Sequence, residues 1–126
     1  MATATKSFKN FIGGEWVDAA SGETFETASP ATGEVLGVFP RSSADDVDRA
    51  VEAAKAAYEE WRLTPAPMRG EILFRFGQLL ADRKDEVAEL MAREMGKVLP
   101  EAAGDVQEAI DMSFYMGGEG RRLFGQ

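Results

Sequence analysis

The alternation of apolar and polar residues changes its period once along the chain, close to Ser43. Before that point, short apolar stretches are separated by turn residues. Phe11-Ile12 and Trp16-Val17 lie on either side of Gly13-Gly14, a dipeptide that accepts the positive φ angles of a tight turn, so Asn10 to Val17 predicts a short β-hairpin. A second strand pair is predicted at Thr24 to Thr27 and Glu34 to Phe39, because the intervening Ser29-Pro30-Ala31-Thr32-Gly33 carries the Pro and Gly of a turn. This β portion closes at Pro40. Residues 1–9 are small, polar and aperiodic and predict a flexible terminus, with order beginning near Asn10.

From Ser43 onward the pattern has the helical period. Val47, Ala50, Val51, Ala54, Ala57, Tyr58 and Trp61 fall on one face, and Ser43 followed three residues later by Asp46 predicts a capping box at the start. Thr64-Pro65 opens a second helix with the stripe Ile72, Leu73, Phe76, Leu79 and Leu80. A third follows Lys84 with Val87, Leu90, Met91 and Met95, and Gly96 is placed to cap it. The fourth begins at Pro100 and runs through Val106, Ile110 and Phe114. It is expected to loosen at Gly117, Gly118 and Gly120, since each Gly costs about 1 kcal/mol relative to Ala inside a helix. The fold class predicted is therefore an α+β fragment: short N-terminal β-hairpins over residues 10–40, followed by four amphipathic helices over residues 43–126.

Charge and composition narrow the chemistry. Asp and Glu outnumber Lys and Arg by 22 to 14, giving a formal charge of −8, and such a surface repels phosphate backbones and anionic headgroups. Nucleic acid and membrane are not expected partners. No apolar run approaches a membrane span and Met1 to Asn10 holds no signal-like apolar segment, so a cytoplasmic location is expected. The absence of Cys and His from the sequence excludes thiolate nucleophiles, disulfides and the commonest metal ligands, and no metal site is expected.

Among the carboxylates, Glu15 and Glu34 lie near turns, while Asp105, Glu108 and Asp111 fall three apart on one face of the fourth helix, where a solvated stripe is the expected role. Lys97, just past the Gly96 cap, is expected to complement the negative end of the third helix. Met91, Met95, Met112 and Met116 read as core or interface filler, and Trp16 and Trp61 as packing anchors.

Phe11-Ile12-Gly13-Gly14-Glu15-Trp16, followed by Ser29-Pro30-Ala31-Thr32-Gly33-Glu34-Val35, Asp46 to Ala54, Trp61 and Glu94-Met95-Gly96-Lys97, resembles in order and spacing the opening of the aldehyde dehydrogenases. The stretch Gly104 to Asp111 is similar to the subgroups that oxidise semialdehydes bearing a second carboxylate. The resemblance covers residues 10–126 and implies the N-terminal helical part of a cofactor domain, flanking a Rossmann-like fold that binds NAD or NADP. It also implies that the fourth helix borders the tunnel by which aldehyde reaches the nucleophile, with Gly104 leaving room for a ligand and Glu108 selecting substrates by charge.

The family's reaction requires a thiolate to attack the aldehyde carbon and a glutamate to activate water against the resulting thioester. This chain has no Cys. The βαβ series that would cradle a dinucleotide is not predicted either, and Gly117, Gly118 and Gly120 follow a helix rather than a strand. The expectation is a truncated or partial dehydrogenase that is inactive and binds no cofactor alone, and that self-associates or forms a homo-oligomer through exposed helix faces. A stand-alone helical interaction module is the alternative reading.

Overall fold

The computed structural model describes residues 5–122, and they divide into two compact units between Arg62 and Leu63. In the first, β1 (Asn10–Ile12) and β2 (Glu15–Val17) form an antiparallel hairpin in which Phe11 faces Trp16. Gly13 and Gly14 turn it with φ of 61° and 89°, both left-handed, as the dipeptide predicted. β3 (Thr24–Ala28) and β4 (Val35–Pro40) pair antiparallel, and the Ser29-to-Gly33 turn is closed by the Gly33 N–H donating to the Ser29 carbonyl at 2.8 Å.

Strand pairing reaches further toward the N-terminus than the sequence pattern placed it. The Phe8 N–H donates to the Val38 carbonyl and the Val38 N–H to the Lys6 carbonyl, each at 2.9 Å, so Ser7 bridges β4 in parallel. Phe8 then stacks on Phe39 with ring centroids 4.6 Å apart. This is possible because Gly37 presents no side chain: a Cβ there would lie 2.6 Å from the Phe8 ring. Within the expected flexible terminus, residues 1–4 lie outside the described residues.

α1 (Ala44–Trp61) starts at the predicted capping box. Asp46, only 2% exposed, accepts from the Ser43 N–H at 2.9 Å, the Ser43 hydroxyl at 3.2 Å and the Ala20 N–H at 2.9 Å. One carboxylate thus fastens the helix start to the segment after β2. The apolar stripe of α1 stays open, with Val47, Val51 and Tyr58 exposed. The two tryptophans do not anchor a core: Trp16 is 68% exposed and packs on Phe11 across the hairpin with the rings tilted by 51°, and Trp61 is 43% exposed.

The second unit holds α2 (Ala66–Asp82), α3 (Lys84–Met95) and α4 (Leu99–Glu119). Ala88 of α3 and Ala102, Val106 and Ile110 of α4 make its core, with Leu80, Val87 and Met91 packed against it. Gly96 ends α3 at φ 74°, its N–H donating to the Ala92 carbonyl at 2.9 Å. This is the left-handed cap read from the sequence.

The apolar stripe of α2 is split: Leu80 packs against the unit's core, and the helix meets α4 through glycines. Gly70 and Gly77 are buried there, while Ile72, Phe76 and Leu79 are exposed on the other side. A Cβ on Gly70 would sit 2.3 Å from the Gly117 carbonyl oxygen, one on Gly117 3.2 Å from the Gly70 carbonyl oxygen, and one on Gly120 2.6 Å from the Ala66 carbonyl oxygen. α4 therefore runs through Gly117 and Gly118 to Glu119 and ends at Gly120. Gly117 and Gly120 let the chain lie directly on the backbone of α2, and the packing gained at this crossing offsets the poor helix propensity of Gly117.

Candidate functional site

α4 buries Ala102, Val106, Ile110, Ser113 and Gly117, a run at helical spacing that turns one side of the helix inward. At about 100° per residue, Gly104 and Glu108 lie roughly 200° from Val106, and both are exposed on the outer side. A Cβ added to Gly104 would meet nothing within 4 Å, so open space adjoins the turn that carries Glu108. Tyr115, one heptad beyond Glu108, shares this face and is exposed, as is Met112. The sequence pattern marked Met112 as filler and left Tyr115 unassigned. The i+7 spacing from Glu108 was the signal that placed Tyr115 here.

Asp105 and Asp111 have separate partners. Lys97 donates to Asp105, which raises the Lys97 pKa above the ordinary lysine value. That hydrogen bond is the main cause, burial opposes it, and the negative charges of Asp105, Glu101 and Glu108 add to it. Lys97 therefore answers the acidic face of α4, where the sequence had placed it against the end of α3. Asp111 accepts from Gln107 Nε2 at 2.9 Å, and Gln107 Oε1 accepts from Lys84 Nζ at 2.8 Å. Glu108 contributes only its field to this arrangement. Glu101, seven residues before Glu108, is exposed on the same face.

The named strands of the described residues pair antiparallel in two separate two-stranded sheets, and Gly117 is packed inside a helix–helix crossing rather than placed between a strand and a helix N-terminus. No helix is long and apolar enough to cross a membrane. Among the described residues no group of acidic side chains is arranged to hold a metal ion.

Residues 16–126 match the aldehyde dehydrogenase family. The chain belongs to that family. Malonate-semialdehyde dehydrogenase 3 of Geobacillus kaustophilus is 48% identical over 124 residues, which are 98% of this chain and 26% of that protein. The alpha-ketoglutarate semialdehyde dehydrogenase of Haloferax volcanii is 48% identical over 122 residues, covering 96% of this chain and 25% of the relative. Among solved structures, the NAD-dependent aldehyde dehydrogenase from Sinorhizobium meliloti superposes with a TM-score of 0.90 at 35% identity, over 97% of this chain and 25% of that one. This aldehyde dehydrogenase chain thus spans about a quarter of the length of the relatives it matches.

Proposed function

We propose that the chain supplies the N-terminal quarter of an aldehyde dehydrogenase that oxidises an aldehyde to a carboxylic acid with NAD or NADP, and that the outer face of α4 borders the substrate's path. The family match over residues 16–126, with the family's fold retained, carries this reading. The semialdehyde dehydrogenases among the relatives support a semialdehyde as the substrate class.

The chain contributes position and charge to such a reaction, not the reacting groups. With no Cys in the sequence, the nucleophile belongs to the other three quarters of the parent, and so does the dinucleotide cradle that the described residues do not form. Within this chain, Gly104 leaves a gap in the outer face of α4, and Glu108 places a carboxylate one turn further on. That charge discriminates among aldehydes by the charge their tails carry. It acts on the far end of the substrate and leaves the reacting carbon to others.

The test is a chimera in which this chain replaces the matching residues of the Geobacillus kaustophilus relative, with and without Glu108→Gln. Loss of one charge-assisted hydrogen bond predicts a change of about tenfold in relative kcat/KM between amino-tailed and carboxylate-tailed aldehydes. A short neutral aldehyde should be unaffected. Equal effects on all three, or none, would return Glu108 to a solvated surface.

A further inference from the structure

Lys97 directly precedes Val98, the N-cap of α4, where the positive end of the helix dipole disfavours an ammonium. Its side chain turns along the helix and donates to Asp105, nearly two turns beyond the cap. The lysine is the better covered partner, its side chain 21% exposed against 47% for that of Asp105. A half-buried cation thus lies against the helix that carries the candidate specificity residues, and its charge is directed at one of their neighbours.

Around α4, Asp105 stands about 60° from Glu108 and about 40° from Glu101, on the flank of the face that carries Gly104. All three carboxylates are on exposed residues, and the space beside Gly104 is open. The hydrogen bond to Asp105 is the main cause of the raised Lys97 pKa, and the charges of Glu101 and Glu108 add to it, so both lie within Coulombic reach of the same ammonium. The ion pair cancels the charge of Asp105 and leaves those of Glu101 and Glu108 in place.

Resting on the reading above, we propose that the Lys97–Asp105 pair sets the charge that the outer face of α4 presents to the substrate, and so determines how well that face admits an aldehyde with a carboxylate tail. Lys97 is a positioning residue: it neutralises Asp105 beside the Gly104 gap and acts on the substrate only through that charge balance. Removing the lysine adds one negative charge to the face, and removing the Asp105 charge frees the ammonium and subtracts one. A unit charge about 6–10 Å from a carboxylate tail, at the edge of water, changes its binding by roughly three- to tenfold. The two substitutions therefore act with opposite sign, whereas loss of a merely structural ion pair impairs both variants alike.

The experiment measures kcat/KM of the chimera with the Geobacillus kaustophilus relative for a carboxylate-tailed semialdehyde and for a neutral aldehyde of equal length, and reads their ratio. Lys97→Met should lower the ratio by about three- to tenfold, and Asp105→Asn should raise it by a similar factor. The double variant should return close to the unsubstituted chimera, Lys97→Arg should keep the ratio, and the Lys97→Met shift should shrink as salt is raised. Single variants that shift the ratio in the same direction, or leave it unmoved, would overturn the proposal. So would a double variant as impaired as Lys97→Met, since that result makes the lysine a direct ligand of the tail. If Lys97→Met fails to fold, Asp105→Asn carries the test, and a ratio that does not rise refutes the pair's role. An active chimera with unmoved ratios refutes this inference alone, and a folded chimera without turnover refutes the function on which it rests.

Discussion

Gly70→Ala would place a methyl carbon 2.3 Å from the Gly117 carbonyl oxygen, about 1 Å inside van der Waals contact. The obstacle is backbone rather than the tip of a flexible side chain, so the helices themselves must separate. A gap of that size forfeits a quarter to a half of each contact across the crossing. Overpacking of this kind costs about 1–3 kcal/mol, and the upper end applies where the neighbour cannot rotate away. Ala gains about 1 kcal/mol over Gly in helix propensity, leaving a net loss of about 2 kcal/mol. In a domain of this size that lowers the midpoint of the second unit's melt by about 8–16 °C. Gly104→Ala is the matched control, because a Cβ there meets nothing within 4 Å. The same propensity gain is then unopposed and raises the midpoint by about 4–8 °C. Thermal melts followed by helical circular dichroism measure both. A Gly70→Ala chain as stable as the parent, or two shifts of the same sign, would refute the close backbone crossing.

Asp46→Asn should lower the melting midpoint at neutral pH. The hydrogen bonds from the Ser43 and Ala20 backbone N–H groups hold the Asp46 pKa below its ordinary value. Its stabilisation is therefore present above the unfolded pKa of about 3.9 and lost as pH falls through the lower folded value, so the gap between variant and parent should close in acid. A gap independent of pH down to the acid limit would contradict this. Lys97→Met should also destabilise, by leaving Asp105 unpaired beside Glu101 and Glu108, and the loss should shrink in high salt, because the pair is partly exposed. A salt-independent loss would point to packing of the lysine stem. The purified chain alone should give no aldehyde-dependent reduction of NAD or NADP, since its sequence holds no thiol. Turnover by a pure sample would refute the assignment of the nucleophile to the rest of the parent.

What the sequence made legible is local. Gly13-Gly14 specifies its own turn, Ser43 with Asp46 its own helix start and Gly96 its own cap, because each is settled by backbone angles or hydrogen bonds within a few residues. The partners of distant groups were not. Nothing near Ser7 announces that it bridges Val38, and Asp46 reaches back to Ala20 in addition to its own helix. The inner face of α2 was hidden for a different reason. Apolar periodicity marks the face that some surface covers, and within this unit Ile72, Phe76 and Leu79 are left open while Gly70 and Gly77 make the contact. The same logic accounts for Trp16 and Trp61, large apolar side chains without a core around them. At the candidate site, helical phase alone put Gly104 and Glu108 on one exposed face of α4. The engagement of Asp105 by Lys97 depends on the path of the chain between α3 and α4, which periodicity does not fix.

The most direct test of the account is the steady-state activity of the chimera that carries this chain in place of the first quarter of the Geobacillus kaustophilus malonate-semialdehyde dehydrogenase, assayed by reduced-nicotinamide absorbance with a semialdehyde. At 48% identity over the replaced residues, the account predicts aldehyde-dependent reduction of NAD or NADP with kcat within about tenfold of the unaltered relative. A folded chimera that binds the dinucleotide yet shows no turnover with any aldehyde would contradict it.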